Sequence, residues 1–163
     1  MSNTEDVKKW LRRYGEQIRH AEYLTMQVEE IESVSTAPGR PKIDGMPRDP
    51  NFTGDRIPDL IDRLERKRQR AAEAAQRAEQ YRCEIEDAIE QISCKNWSEV
   101  QTILIWRYIY LKEFSDIAEL LYGDDPDYWD KSDSFLRKLF NRHKAGLIEL
   151  AKIIPVEQFK ITN

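Results

Sequence analysis

The sequence predicts an all-α protein: a long antiparallel helical hairpin, coiled-coil-like in its spacing, followed by a C-terminal helix-turn-helix. Three observations lead there. Charged residues make up 34% of the 163-residue chain and glycine occurs only six times, which favours long helices over sheets. Apolar residues recur at steps of three and four on both sides of one Pro/Gly-rich interruption, the signature of amphipathic helices. The stretch RYIYLKEFSDIAELLYG, residues 107–123, is a compact aromatic and aliphatic segment in an otherwise polar chain with a mean hydropathy of -0.74.

Residues 5–33 form the first expected helix. Val7, Leu11, Tyr14, Ile18, Ala21, Thr25, Val28 and Ile31 or Glu32 advance by threes and fours, and Trp10 and Leu24 widen the same stripe. The pattern stops in SVSTAPGRPKIDGMPRDPNFTGD. Pro38, Pro41, Pro47 and Pro50 fix φ and remove backbone donors, so a loop is expected over 34–54. Residues 55–93 resume the helix, with Ile57, Ile61, Leu64, Ala71, Ala75, Ala78, Ile85, Ile89 and Ile92 on one seam and Arg68 and Arg82 interrupting it. The alanines of AAEAAQRAEQ permit close helix approach. Two such helices bury their stripes on each other as an antiparallel hairpin, or on a second copy as a dimer. The cluster Arg63, Arg66, Lys67, Arg68 and Arg70 has Asp59, Asp62, Glu65 and Glu73 beside it, so a solvated helix face accounts for it better than a phosphate site.

A boundary at 95/96 is expected, with the hairpin in 1–95 and a helix-turn-helix domain in 96–163. NWSEVQTILIWRYIYLK starts a helix at which Ser98 can cap and Glu99 suits the positive end of the dipole. A helix this apolar must be buried on more than one side. Lys112 and Glu113 mark a break. In the short helix FSDIAELLY, Phe114, Ile117 and Leu121 share a face, and Ala118 allows another helix to cross closely. Gly123 fits the left-handed geometry of a helix end. DDPDYWDK is the turn, with Asp130 or Ser132 as the next cap. The last long helix carries Leu136, Leu139, His143, Leu147, Leu150 and Ile154 inside, and Pro155 stops it.

The opposite face of that helix carries Ser134, Arg137, Lys138, Asn141 and Arg142, with Lys144 alongside. The chain is acidic overall, with net charge -4 and a pI near 5.4, and a small dedicated nucleic-acid binder is usually basic. The local distribution answers part of that objection, since from Lys131 to Lys144 the one acidic residue is Asp133. A short helix, a turn and a basic helix with Arg and Asn outward is how a helix-turn-helix presents donors to the major groove. Arginine pairs with guanine O6/N7 and asparagine with adenine N6/N7. The competing interpretation is a plain helical bundle whose last helix is basic.

Other chemistries lack residues. His143 lies on the apolar stripe, His20 is isolated, and Cys83 and Cys94 fit no metal spacing, so reduced thiols are expected. Neither a glycine-rich phosphate loop nor a nucleophile elbow is present. No catalytic activity, metal or cofactor is therefore expected. The N-terminus MSNTEDVKKW lacks a signal-peptide core, and no run approaches a membrane span, so a cytoplasmic protein without membrane contact is expected.

WRYIYLKEFSDIAELLYG resembles the start of region 4 of bacterial sigma factors, where an arginine–tyrosine helix end leads into a short x-I-A-x-x-L helix. The whole layout resembles small regulators of phages and prophages of Gram-positive bacteria, in the style of the ArpU and RinA late-transcription activators. The layout covers nearly the whole chain; the motif itself is confined to 106–123. The resemblance implies a sigma-region-4-like helix-turn-helix, sequence-specific binding of double-stranded DNA in a bacterial host, and control of transcription of late phage genes. It also implies that the second motif helix reads bases, through Ser134, Arg137, Lys138, Asn141 and Arg142, and that Ile117, Ala118 and Leu121 pack the first. A homodimer through the hairpin and contact with RNA polymerase are the partner expectations.

One departure stands out. The usual turn has about three or four residues, whereas Gly123 to Lys131 is longer and holds Asp124, Asp125, Asp127 and Asp130. Those carboxylates repel phosphate if they face a duplex. The alternative is a coiled-coil interaction module acting on a protein, with Tyr128 and Trp129 as candidate contact residues, since aromatics dominate interface hot spots.

Overall fold

The computed structural model describes residues 4–36 and 56–160, and most of the Pro/Gly stretch expected as a loop lies outside them. The fold is all-α. In chain order the helices are α1 (Thr4–Thr36), α2 (Arg56–Glu90), α3 (Trp97–Tyr108), α4 (Phe114–Tyr122), α5 (Ser132–Ile153) and α6 (Val156–Lys160). The short α6, which follows the expected stop at Pro155, was not foreseen. No helix among the described residues is long and apolar enough to cross a membrane.

The chain divides into two compact units, one of residues 1–16 and 78–163 and the other of 17–77. This differs from a cut at 95/96. The reason is a shared core: Val7, Trp10 and Leu11 of α1 and Ile85, Ile89 and Ile92 of α2 are buried with Val100, Leu104, Leu147 and Leu150.

In the 17–77 unit the two helix segments run antiparallel. Lys67 Nζ donates to Gln27 Oε1 at 3.4 Å, and Arg68 pairs with Glu32. The buried side chains here are small: Ala21, Val28 and Ala74. The α2 seam departs from expectation at two places. Ile61 and Ala75 are exposed, and Ala74 takes the inward position instead. Leu64, Lys67, Ala71, Ala74, Ala78, Tyr81, Ile85, Ala88 and Ile92 turn inward at an alternation of threes and fours, which holds a helix face toward its partner, and Ile89 is buried beside Ala88. Lys67 belongs to that seam because its long aliphatic stem can be buried while its ammonium reaches a partner. Arg68 points outward.

In the other unit α3 is the central element, buried on two sides as its composition requires. Val100, Leu104 and Tyr108 face the core shared with α1, α2 and α5. Ile103 faces a second cluster with Ile117, Ala118, Tyr122, Tyr128 and Leu139. The expected inner stripe of α5 is in place, with Leu139, His143, Leu147 and Leu150 buried. Arg13 lies between the rings of Trp10 and Tyr81, at 4.8 and 4.5 Å from their centroids, and pairs with Glu84 at 3.2 Å.

The helix ends differ from the sequence expectation. Ser98 is not the cap of α3. Asn96 is, in the left-handed region at φ 60°, a conformation asparagine tolerates, and its side chain makes no capping bond. Neither Asp130 nor Ser132 caps α5; the cap position is Lys131. Gly123 is right-handed at φ -61°, and the left-handed residue is Leu111 at φ 56° in the α3–α4 break. Glycine is still required at 123, because a Cβ there would meet the Glu119 carbonyl oxygen at 2.4 Å.

Gly146 allows α5 to cross α3. A Cβ at this position would meet Val100 Cγ1 at 2.8 Å and Leu104 Cδ1 at 2.9 Å. Crowding a packed core in this way costs about 1–3 kcal/mol. Gly146→Leu is therefore expected to lower unfolding stability by at least that amount in urea denaturation. An unchanged midpoint would show that the crossing is looser than described.

Candidate nucleic-acid interface

The helix-turn-helix is assembled on α3. The α3–α4 break is held by Arg107, whose Nη1 donates to the Lys112 carbonyl at 2.8 Å and pairs with Glu113 at 3.2 Å. Its guanidinium lies 4.6 Å from the Phe114 ring centroid, which fixes the start of α4. Within the long turn, Asp125 Oδ1 accepts from the Asp127 backbone N–H at 2.9 Å, and Lys131 pairs with Asp127 at 3.2 Å. Two of the four turn carboxylates are thus engaged locally. Tyr128 turns back into the core against Phe135, whereas Trp129 is 72% exposed.

The predicted recognition residues separate into two kinds. Ser134, Arg137, Lys138, Asn141 and Lys144 are exposed. At helical spacing they share the face opposite the buried stripe of Leu139, His143 and Leu147. Among the described residues, Ser134, Arg137, Asn141 and Lys144 make no side-chain hydrogen bond or ion pair. Lys138 lies 4.8 Å over the Tyr122 ring.

Arg142 departs from the solvent-facing placement expected for it. It is half-buried and turned to the start of α3, with Nε 3.3 Å from Glu99 Oε2, close enough for an ion pair but without hydrogen-bond alignment. In the amide orientation that satisfies both groups, the Asn96 side-chain oxygen accepts from Arg142 Nη1 at 2.8 Å and Nη2 at 3.1 Å. Glu99 also accepts from the Tyr122 hydroxyl. Burial first, and then this bond to a carboxylate, push the Tyr122 phenol well above its usual range. One node therefore ties α3, α4 and α5 together. Sequence spacing could not place Arg142 there, because position 142 lies at the edge between the inner and outer faces of α5.

His143 is the core histidine that its stripe position suggests. Its Nε2 shares a 3.0 Å hydrogen bond with the Tyr108 hydroxyl, and its ring packs edge-on against Phe114 at 5.1 Å. Burial, reinforced by Lys8 and Arg107, lowers its pKa to about 4. The neutral ring is therefore part of the fold at neutral pH. Cys83 is exposed and Cys94 half-buried, both as free thiols.

Comparison with known protein families, curated proteins and solved structures finds no match to this chain.

Two stability predictions follow from this geometry. Arg142→Ala leaves Glu99 and Asn96 without their shared cation, and a half-buried group stripped of its partner costs roughly 1–3 kcal/mol. Denaturant unfolding should show that loss, while Arg137→Ala stays near wild type. Equal midpoints for the two variants would remove the distinction drawn here. For His143, the unfolded chain binds the proton between its ordinary pKa of 6.5 and the folded value of about 4. Its contribution is complete above pH 6.5 and declines as pH falls toward 4. At pH 4.5 wild type should lose roughly 2–3 kcal/mol more than His143→Gln, relative to pH 7. Parallel pH profiles for the two proteins would contradict the buried neutral ring.

Proposed function

We propose that the protein is a sequence-specific DNA-binding transcription regulator in which α5 enters the major groove. The observation that carries this reading is the outward row on α5: Ser134, Arg137, Asn141 and Lys144 have no partner among the described residues, beside an exposed Lys138. Three other arginines of the same unit are spent on the fold, Arg13 on Glu84, Arg107 on Glu113 and Arg142 on Glu99. Donors left free on a helix whose opposite face is locked into a core suit a rigid reading element.

In this reading Arg137 and Asn141 contact base edges, and Lys138 and Lys144 contact phosphate. Arg142 leaves the contact set and becomes a positioning residue. The exposed carboxylates near the start of α5 weaken sequence-independent attraction to the duplex, which raises the share of affinity carried by the base contacts. The sigma-like motif of residues 106–123 supports control of transcription, with late phage genes and RNA polymerase as the expected setting. A homodimer would use the 17–77 unit, where Tyr23, Met26 and Val34 are exposed on one side of α1.

The test is anisotropy of labelled duplexes, selected from a random-sequence pool and titrated across a salt series. Arg137→Ala should cost about 1–3 kcal/mol on the selected site, and Lys144→Ala should reduce the salt slope by about one. Absence of binding to any duplex at low salt would overturn the reading.

A further inference from the structure

A second surface lies on the same unit and shares no residue with the α5 row. The outer side of α4 and the turn that follows it form a shallow groove of about 560 Å³. Its apolar part is Leu120, 56% exposed, and Trp129. Its rim is acidic, with Asp116, Glu119 and Asp124 against Lys112. None of the three carboxylates makes a side-chain hydrogen bond or ion pair among the described residues. The Trp129 ring is oriented by the buried Tyr128, which meets it edge-on at 5.2 Å and 77°. An exposed indole beside three unpaired carboxylates offers an apolar face and negative charge together.

We propose that this groove docks an arginine-bearing amphipathic helix of a partner protein. Arginine meets both halves of the groove. Its planar guanidinium stacks on an indole face and donates two parallel hydrogen bonds to a carboxylate, which a lysine ammonium cannot do. An apolar residue one turn away from that arginine packs on Leu120. Nucleic acid and anionic lipid are disfavoured by the same carboxylates. The groove is independent of the DNA reading, so a failure of either leaves the other standing.

The test uses the full-length protein, ¹⁵N-labelled, and a synthetic helical peptide with arginine and leucine at alternating three- and four-residue spacing. The readout is the set of indole N–H signals, of which Trp129's is identified by its loss in Trp129→Phe. The expected result is a saturable shift of the Trp129 signal among the four tryptophans. Affinity, read for every variant by anisotropy of the fluorescently labelled peptide, should fall at least about tenfold in Trp129→Ala and in the triple variant Asp116→Asn/Glu119→Gln/Asp124→Asn. Arg137→Ala should bind the peptide as wild type does. Four results would each overturn the proposal. One is wild-type affinity in the triple variant, and another is equal binding of a peptide with glutamate in place of arginine. The third is an equal loss on neutralising Asp125 and Asp130, which would reduce the effect to general attraction. The fourth is a Trp129 signal that moves with protein concentration alone, which would give the groove to a second copy of this chain.

Discussion

The fold of the larger unit depends on α3 being buried on two sides. A twelve-residue helix ordinarily has one apolar stripe and one wet face. Here Val100, Leu104 and Tyr108 serve one core while Ile103 serves another. This lets one short helix join the ends of α1 and α2 to the helix-turn-helix. The arrangement requires α5 to come very close, and Gly146 makes that approach possible by having no side chain where Val100 and Leu104 lie. The hairpin ends and the helix-turn-helix are thus one packing problem, which explains why the compact units divide elsewhere than at the end of α2.

Charge is distributed by the same logic. Cations that face the interior are paired or stacked. Arg13 sits between two aromatic rings and a carboxylate, Arg107 holds the α3–α4 break, and Arg142 bridges α5 to Asn96 and Glu99. A half-buried charge without such partners would be expensive, so these arginines are committed to the fold. On the outer face of α5, Arg137 and Lys144 remain without a partner among the described residues. On α4 and the turn, Asp116, Glu119 and Asp124 likewise remain unpaired among the described residues. An acidic chain therefore presents a basic row and an acidic groove on one unit, and the two proposals above assign them partners of opposite charge.

The aromatic segment of residues 107–123 that stands out in the sequence acts as the joint between these surfaces. Tyr108 binds the neutral His143 in the core, Phe114 is held under Arg107, and Tyr122 reaches Glu99. Each aromatic combines apolar burial with one polar contact, so the short α4 has a fixed orientation despite being only nine residues long. The reading helix and the docking groove proposed above would both need such a rigid support.

Much of the fold was legible in the sequence because it follows from local periodicity. The all-α class, the two long helices, the break at 112–113, the inner stripe of α5 and the stop at Pro155 all depend on spacing, φ restriction and burial of apolar side chains, which act over one or two turns. The outward positions of Ser134, Arg137, Lys138, Asn141 and Lys144 were legible for the same reason. What spacing could not decide were matters settled between helices. The choice of Ala74 over Ala75 for the seam, the turning of Arg142 onto Glu99 and Asn96, and the need for Gly146 depend on what stands opposite each residue. The same holds for Tyr128 and Trp129, adjacent in the chain, one folded into the core and the other left in water. Sequence by itself determined which faces are apolar and which are charged. Tertiary structure decided which charges are consumed by the fold and which remain free, because an ion pair or a close crossing exists only once two elements have met.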